Sequence, residues 1–412
     1  YAIDGGADDD TIIVHNAQGD TYEGGQGVDT LDLSNESAGY TLADTVDLAA
    51  AFFTKGAAQF SGFENVIGTN QADVIAGSGV ANALNGGGGA DIVSGGGGGD
   101  VLTDSDGAGI DALLGEAGDD IIRVFAAIAG ETFDGGAGDT DTLDLSEHQT
   151  PLDALTPLDL TGAGFASFTN FEIVLGSGFG DIITGDDSGQ TIRGAGGSDT
   201  ITGGAGDDII EGGEGLDFLD GGGGGNTLSY ASHQFDLTID LATDIVIATG
   251  DNLFDVIQNF QSLIGGAGDD QLAGLNGATV LNGGDGDDIL NGRFGADTIA
   301  GGDGDDTLVF NEDAGDRTKF DVWDGGADSD TGDFSGFHSA IRIDLGSANL
   351  RATRDGADMN AGTGALRAIV QTTGVENFTG TAFDDEMLGD NAANRFFGGD
   401  GDDALLGRNG DD

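Results

Sequence analysis

The chain has no cysteine, and its 412 residues include only two prolines, two methionines and one tryptophan. Without cysteine there is no disulfide framework, no thiolate metal site and no cysteine nucleophile. Positive charge is almost as scarce: 12 Lys and Arg face 75 Asp and Glu, a net charge of −63. A phosphate backbone needs a basic face, so nucleic acid is excluded as a partner. Long apolar runs are missing too. The longest, around Leu48 to Phe53, falls far short of the roughly 20 residues that cross a bilayer, and no membrane span is expected. No charged segment followed by an apolar core comes after Tyr1, so no cleavable secretion signal is read here.

Glycine, by contrast, is abundant, with 81 copies. Average proteins hold roughly 7%. The chain is also 38% apolar, with 23 phenylalanines available for a core. That burial potential separates it from disordered acidic chains. Self-repulsion among so many acids opposes compaction, so something must neutralise them.

The glycines and acids share a register with a period of nine. From Gly176 the chain reads GSGFGDIIT, GDDSGQTIR, GAGGSDTIT, GGAGDDIIE, GGEGLDFLD and GGGGGNTLS, without a slip to Ser229. Five more copies run from Gly265 to Val309, four begin at Gly68, and two follow at Asp106 after a two-residue slip. A further series starts at Gly380 and ends in GRNGDD, part-way through a repeat, as expected for a segment of something longer. Isolated copies stand at Gly5, Gly24, Gly135 and Gly325. Positions one, two and four are mostly Gly, position six is mostly Asp, and position eight is a large apolar residue such as Ile183, Ile192, Ile201, Ile210, Leu219 or Leu228. A triplet with its middle side chain turned inward is a minimal strand. The six residues before it form a turn in which Gly permits positive φ. Two nonapeptides then make one coil, and coils stack at about 4.8 Å as in a parallel sheet.

This GGxGxDxUx pattern resembles the nonapeptide of RTX (hemolysin-type calcium-binding) repeat proteins of the type I-secreted bacterial class. The resemblance implies an all-β parallel β-roll or β-solenoid with Ca²⁺ held in the turns by position-six carboxylates and backbone carbonyls. Carried over by position, the metal ligands are Asp91, Asp100, Asp111, Asp120, Asp181, Asp199, Asp208, Asp217, Asp270, Asp288, Asp297, Asp306, Asp385 and Asp403, with Asp10, Asp29 and Asp73 in less regular copies. Asn82, Gln190, Asn226, Thr279 and Asn394 occupy position six instead, so weaker or empty sites are expected there. The chemistry agrees: Ca²⁺ is a hard cation that takes six to eight oxygens, and roughly 10–20 ions are expected. Strict nine-residue spacing argues against a flexible Gly/Asp linker. No EF-hand frame and no collagen triplet is present.

Four inserts interrupt the repeats, and they recur among themselves. Each opens with a short strand signal (Thr30–Ser34, Thr142–Ser146, Thr227–Tyr230, Asp333–Ser335). A second signal follows at Val46–Leu48, Leu158–Leu160, Ile239–Leu241 and Ile343–Leu345. A third closes the insert at Phe63–Gly68, Phe171–Gly176, Phe260–Gly265 and Val375–Gly380. Tyr22, Phe133 and Trp323 stand at inward positions before three of the inserts. The expected division is repeats at 1–33, 68–145, 176–230, 265–333 and 380–412, with strand-rich inserts at 34–67, 146–175, 231–264 and 334–379. The inserts are expected to continue the solenoid as longer, irregular coils, with strands over Leu237–Ile239 and Ile341–Ile343. One helical turn is expected over Leu48–Ala51.

Signatures of catalysis are sparse. His15, His148, His233 and His338 are scattered, no HExxH or GxSxG occurs, and the chain is not expected to be an enzyme. Glu64, Glu172 and Glu376, with Gln261 in the fourth copy, recur with the closing signal and read as caps or hydrogen-bond partners. The function expected is a calcium-dependent structural segment of an extracellular or bacterial cell-surface protein, such as an adhesin stalk, a surface layer or a matrix fibre. The resemblance further implies export by a type I system and folding on Ca²⁺ outside the cell. The alternative is the repeat portion of a secreted hydrolase, protease or polysaccharide epimerase. Candidate partners beyond calcium are other copies of the chain and cell-surface polysaccharide.

Overall fold

The computed structural model of the chain describes every residue except 16–19, 36–44, 51–52, 56–57, 106, 108, 128, 139, 153–156, 162–165, 244, 249–254, 312–319, 347–349, 353–366 and 411. The described residues contain strands, turns and bends but no helix, so none is long and apolar enough to cross a membrane. They form two compact units, Tyr1–Glu214 and Gly215–Asp412. Each is a parallel β-roll.

The repeat dictates the strand. In Thr200–Thr202 and Ile289–Asn291 only the middle residue is buried, and its neighbours face outward or lie half-buried. The middle positions Ile183, Ile192, Ile201, Ile210, Leu219 and Leu228 are at most 1% exposed. Each such side chain contributes roughly 1.5–3 kcal/mol by leaving water. The turn then reverses the chain, and the next triplet faces the first across the core.

In the first unit one parallel sheet runs without a break through Thr11–Ile13, Thr30–Asp32, Asn65–Ile67, Ala83–Asn85, Val101–Asp104, Ile121–Val124, Thr142–Asp144, Ile173–Leu175, Thr191–Gly196 and Ile209–Glu214. The opposite face is divided where inserts enter. In the second unit the repeats between the inserts pair in register, Gln271–Ala273 with Ile289–Asn291 and then with Thr307–Val309. The opposing face stacks Val280–Asp285 on Thr298–Asp303 and that strand on Asp321–Ala327.

The inserts do more than lengthen a coil. Each sends a strand forward onto the repeat block that follows and then brings the chain back onto the block before it. In the third, Leu237–Asp240 pairs with Gln271–Ala273 ahead, and Val256–Gln258 returns to Phe218–Asp220 behind. In the fourth, Ile341–Asp344 pairs ahead with Glu386–Leu388, and Arg367–Thr373 pairs back with Asp321–Ala327. The first insert does the same with Thr45–Asp47 on Val74–Ala76 and Ala58–Ser61 on Thr21–Gln26. The second does so with Leu158–Asp159 on Ile182–Thr184 and Ser167–Thr169 on Thr132–Asp134. Antiparallel pairs mark the reversals, as between Leu237–Asp240 and Ile245–Ala248. The strands expected at Leu237–Ile239 and Ile341–Ile343 are present.

Aromatic side chains fill the wider interior at these points. Tyr22 stacks on Phe60 at 5.0 Å and Phe133 on Phe168 at 5.1 Å. Trp323 lies 5.5 Å from Phe334. The helical turn expected over Leu48–Ala51 is not formed where it is described. Leu48 to Ala50 make a turn closed on Asp47, whose Oδ1 accepts the N–H groups of Ala49 and Ala50, while Ala51 lies outside the described residues. The start of the two copies at Asp106 also lies outside them.

Candidate metal sites along the turns

The turns bring the position-six side chains into columns. Of the seventeen aspartates singled out from the sequence, all but Asp10 and Asp403 are buried. Their carboxylates lean toward the coil before. In the first unit the N–H of Asp73 donates to Asp91 Oδ1 at 2.7 Å, and Asp91 donates to Asp111 Oδ1 at 2.7 Å. On the other edge Asn82 donates to Asp100, Asp100 to Asp120 and Asp120 to Asp141. In the second unit the chain of donors runs from Asp270 to Asp288, Asp306 and Asp330, at 2.7 to 2.9 Å. Each rung is therefore one backbone N–H and one carboxylate oxygen. The second oxygen is what remains for other chemistry.

That second oxygen is buried without a hydrogen bond at Asp29, Asp100, Asp120, Asp288, Asp306 and Asp330. Desolvation is the largest influence on Asp100, Asp120, Asp288, Asp306 and Asp330 and opposes their ionisation. Burial pushes Asp288 up to about 8, against the hydrogen bond from Asp270 and with help from the charges of Asp270, Asp306 and Asp269. Asp330 is pushed up to about 7 and Asp100, Asp141 and Asp306 to about 6, again chiefly by burial. Columns of buried acids at such spacing call for a counter-charge. A hard divalent cation fits the donor set at these six acids, which offer a carboxylate oxygen beside turn carbonyls, all of them oxygen.

Several members of the columns were not among the aspartates carried over by position. Asp141, Asp255, Asp321 and Asp330 accept rung hydrogen bonds like the others. The signal for Asp141 and Asp330 was present, because Asp330 is the sixth residue of the copy at Gly325 and Asp141 the same position of the copy at Gly135, which is one residue longer. The recurring acids at the closing signal also take their place in the columns. Glu64 Oε2 accepts from Asp29 N–H at 2.8 Å, Glu172 Oε2 from Asp141 at 2.8 Å, Gln261 Oε1 from Asn226 at 2.7 Å and Glu376 Oε2 from Asp330 at 3.1 Å. Their longer side chains carry the ladder across the insert. Asp104, Asp111 and Glu131 gather three buried carboxyl groups whose ligand atoms lie within 4.8 Å of one another.

His148 Nε2 accepts the N–H of Ala127 at 3.1 Å, and His233 lies edge-on to Tyr230 at 5.7 Å.

The family model for the RTX calcium-binding nonapeptide repeat matches residues 67–102, 105–124, 193–228, 262–281, 274–308 and 379–412. The chain carries RTX repeats. Such repeats bind calcium in multiple copies. No curated protein matches the RTX chain over its length. Among solved structures, the extracellular lipase LipA from Serratia marcescens is similar at 17% identity and a TM-score of 0.15, over 57% of this chain and 42% of that one. The RTX chain thus spans less than half the length of that lipase.

Proposed function

We propose that this chain is a calcium-dependent structural segment of a secreted or cell-surface bacterial protein, without catalytic activity of its own, that folds on Ca²⁺ after export. The observation that carries the reading is the columns of buried carboxylates, in which Asp29, Asp100, Asp120, Asp288, Asp306 and Asp330 each keep a buried oxygen without a hydrogen bond. In calcium-poor cytosol the repulsion among 75 acids keeps such a chain unfolded and exportable. Outside, the ion neutralises the turns, and its binding free energy becomes folding free energy. About 15 divalent ions cancel roughly half of the charge.

The test is far-ultraviolet circular dichroism of the chain with EGTA, then with calcium restored. Loss of the β signal on chelation and its return on calcium are expected. A β signal indifferent to chelation would refute the reading.

A further inference from the structure

The turns fall into two classes, and the class follows position relative to the insert. In eight turns the position-two N–H folds back onto the position-six side chain of its own turn. Thr69 N–H donates to Asp73 Oδ2 at 2.6 Å, Ser177 to Asp181 at 2.8 Å, Gly266 to Asp270 at 2.8 Å and Thr381 to Asp385 at 2.7 Å. The next turn in each block repeats the contact with a neutral acceptor: Ser78 to Asn82, Asp186 to Gln190, Leu275 to Thr279 and Asp390 to Asn394. These eight are the first two turns after each of the four inserts.

One coil further on, 18 residues later, the conformation changes at every one of these positions. Gly87, Ala195, Gly284 and Gly399 have φ of 91°, 77°, 114° and 99°. Gly96, Gly204, Arg293 and Arg408 have φ of 98°, 123°, 66° and 75°. Residue type does not set the class. Gly266 could adopt positive φ freely, yet it caps Asp270. Ala195, Arg293 and Arg408 hold positive φ against the preference of L residues.

The cause lies in what sits beneath. Each carboxylate leans toward the coil before it, so an ion beside it needs oxygens from a turn there, because one turn cannot supply six to eight. Beneath the first coil of each block lies an insert strand instead. Asp181 Oδ1 accepts from Leu152 N–H, Asp270 Oδ1 from Leu237 and Asp385 Oδ1 from Ile341, at 2.8 to 2.9 Å. Both oxygens of these aspartates are thus taken by backbone donors. At Asn82 and Asn394, Nδ2 donates to the carbonyls of Glu64 and Glu376 in the closing strand below.

We infer that the first coil of each repeat block that follows an insert is a starter coil that closes its turns with protein hydrogen bonds and takes no ion at position six, so that calcium binding begins one coil later. Asp73, Asp181, Asp270 and Asp385 are then rung acceptors rather than calcium ligands. The inference rests on the reading that the other turns bind calcium.

Equilibrium dialysis of the full chain against radioactive calcium tests it. Asp288→Asn and Asp306→Asn are each expected to lower the bound calcium by about one ion or more. Asp270→Asn and Asp385→Asn are expected to leave the number unchanged, and a loss matching that of the first pair overturns the inference. Those two substitutions also remove an acceptor oxygen, so Asn82→Asp and Asn394→Asp carry the test if the starter variants fail to fold. Restoring the acid is expected to add no ion, and an added ion overturns the inference. A wild-type chain that binds no calcium would instead sink the calcium reading itself.

Discussion

Asp288 accepts the N–H of Asp270 on Oδ1 at 2.7 Å, while its Oδ2 is buried with no hydrogen bond. The two oxygens of one carboxylate are therefore placed differently, one holding the coil before it and one without a hydrogen bond, which the proposed function gives to the ion. Asp288→Asn keeps a rung acceptor and removes the charge. Its expected effect has opposite signs in two solutions. With calcium, the variant loses affinity and melts lower. In EGTA, it is at least as stable as the parent, because an acid that burial pushes up to about 8 no longer has to ionise. Thermal melts in calcium and the residual β circular dichroism in EGTA check this, and an equal loss in both would show the carboxylate to be a structural acceptor alone.

The pH dependence has a definite sign. Asp288, Asp330 and Asp306 titrate at about 8, 7 and 6 in the fold, above an unfolded carboxyl near 3.9. Between the unfolded and folded values the native state holds more protons, so stability falls as pH rises. The calcium-free chain is expected to gain β structure on acidification to about pH 4–5 and to lose it between about pH 6 and 8. Calcium competes with those protons, so its affinity is expected to weaken as pH falls through the same window. Circular dichroism across pH in EGTA, beside calcium titrations at pH 6 and pH 8, reads both trends. A calcium-free chain more structured at pH 8 than at pH 5 contradicts the assignment of buried acids.

Much of this was legible in the sequence, for a physical reason. One nine-residue unit encodes both turn and strand, so Gly, Asp and the apolar eighth position report the coil, the column and the core together. Ile192 and Ile210 face inward where the register places them, in strands that pair residue for residue. The inserts were less legible, because alternation at Leu237–Ile239 predicts a strand but not its partner. Nothing local says that this strand pairs with Gln271–Ala273 ahead. Asp141 was missed because the copy at Gly135 is one residue longer than nine, whereas Asp330 was legible as the sixth residue of the copy at Gly325. The capped turn at Gly266 could not be read at all, since its glycine matches the motif and only the strand beneath it decides the conformation.

The insert acids should behave as acceptors. Glu172 Oε2 receives the N–H of Asp141 at 2.8 Å, in the place that Gln261 fills for Asn226 at 2.7 Å. Glu172→Gln is expected to be nearly neutral, since an amide oxygen already serves in the third insert. Glu172→Ala leaves a buried donor without its acceptor and is expected to cost about 1–3 kcal/mol. Urea unfolding in saturating calcium separates the two, and a Gln variant as damaged as the Ala variant would point to a requirement for charge.

The aromatic stacks at the inserts should matter more than any single nonapeptide. Phe133 is fully buried and stacks on Phe168, which belongs to the strand that returns from the second insert. Truncating Phe133 empties the interior at the point where the fold-back strand docks. Phe133→Ala is expected to cost about 3–5 kcal/mol, and Phe133→Leu less, because leucine refills part of the space. Ile201 sits in a regular coil with its neighbours in register. Ile201→Val is expected to cost only about 0.5–1.5 kcal/mol. Calcium titrations followed by circular dichroism add a second readout. Because binding and folding are linked, Phe133→Ala should raise the calcium concentration needed for folding although Phe133 touches no ion. A calcium midpoint that stays put while the urea midpoint falls would show that the docking of the insert and the filling of the turns are separate events.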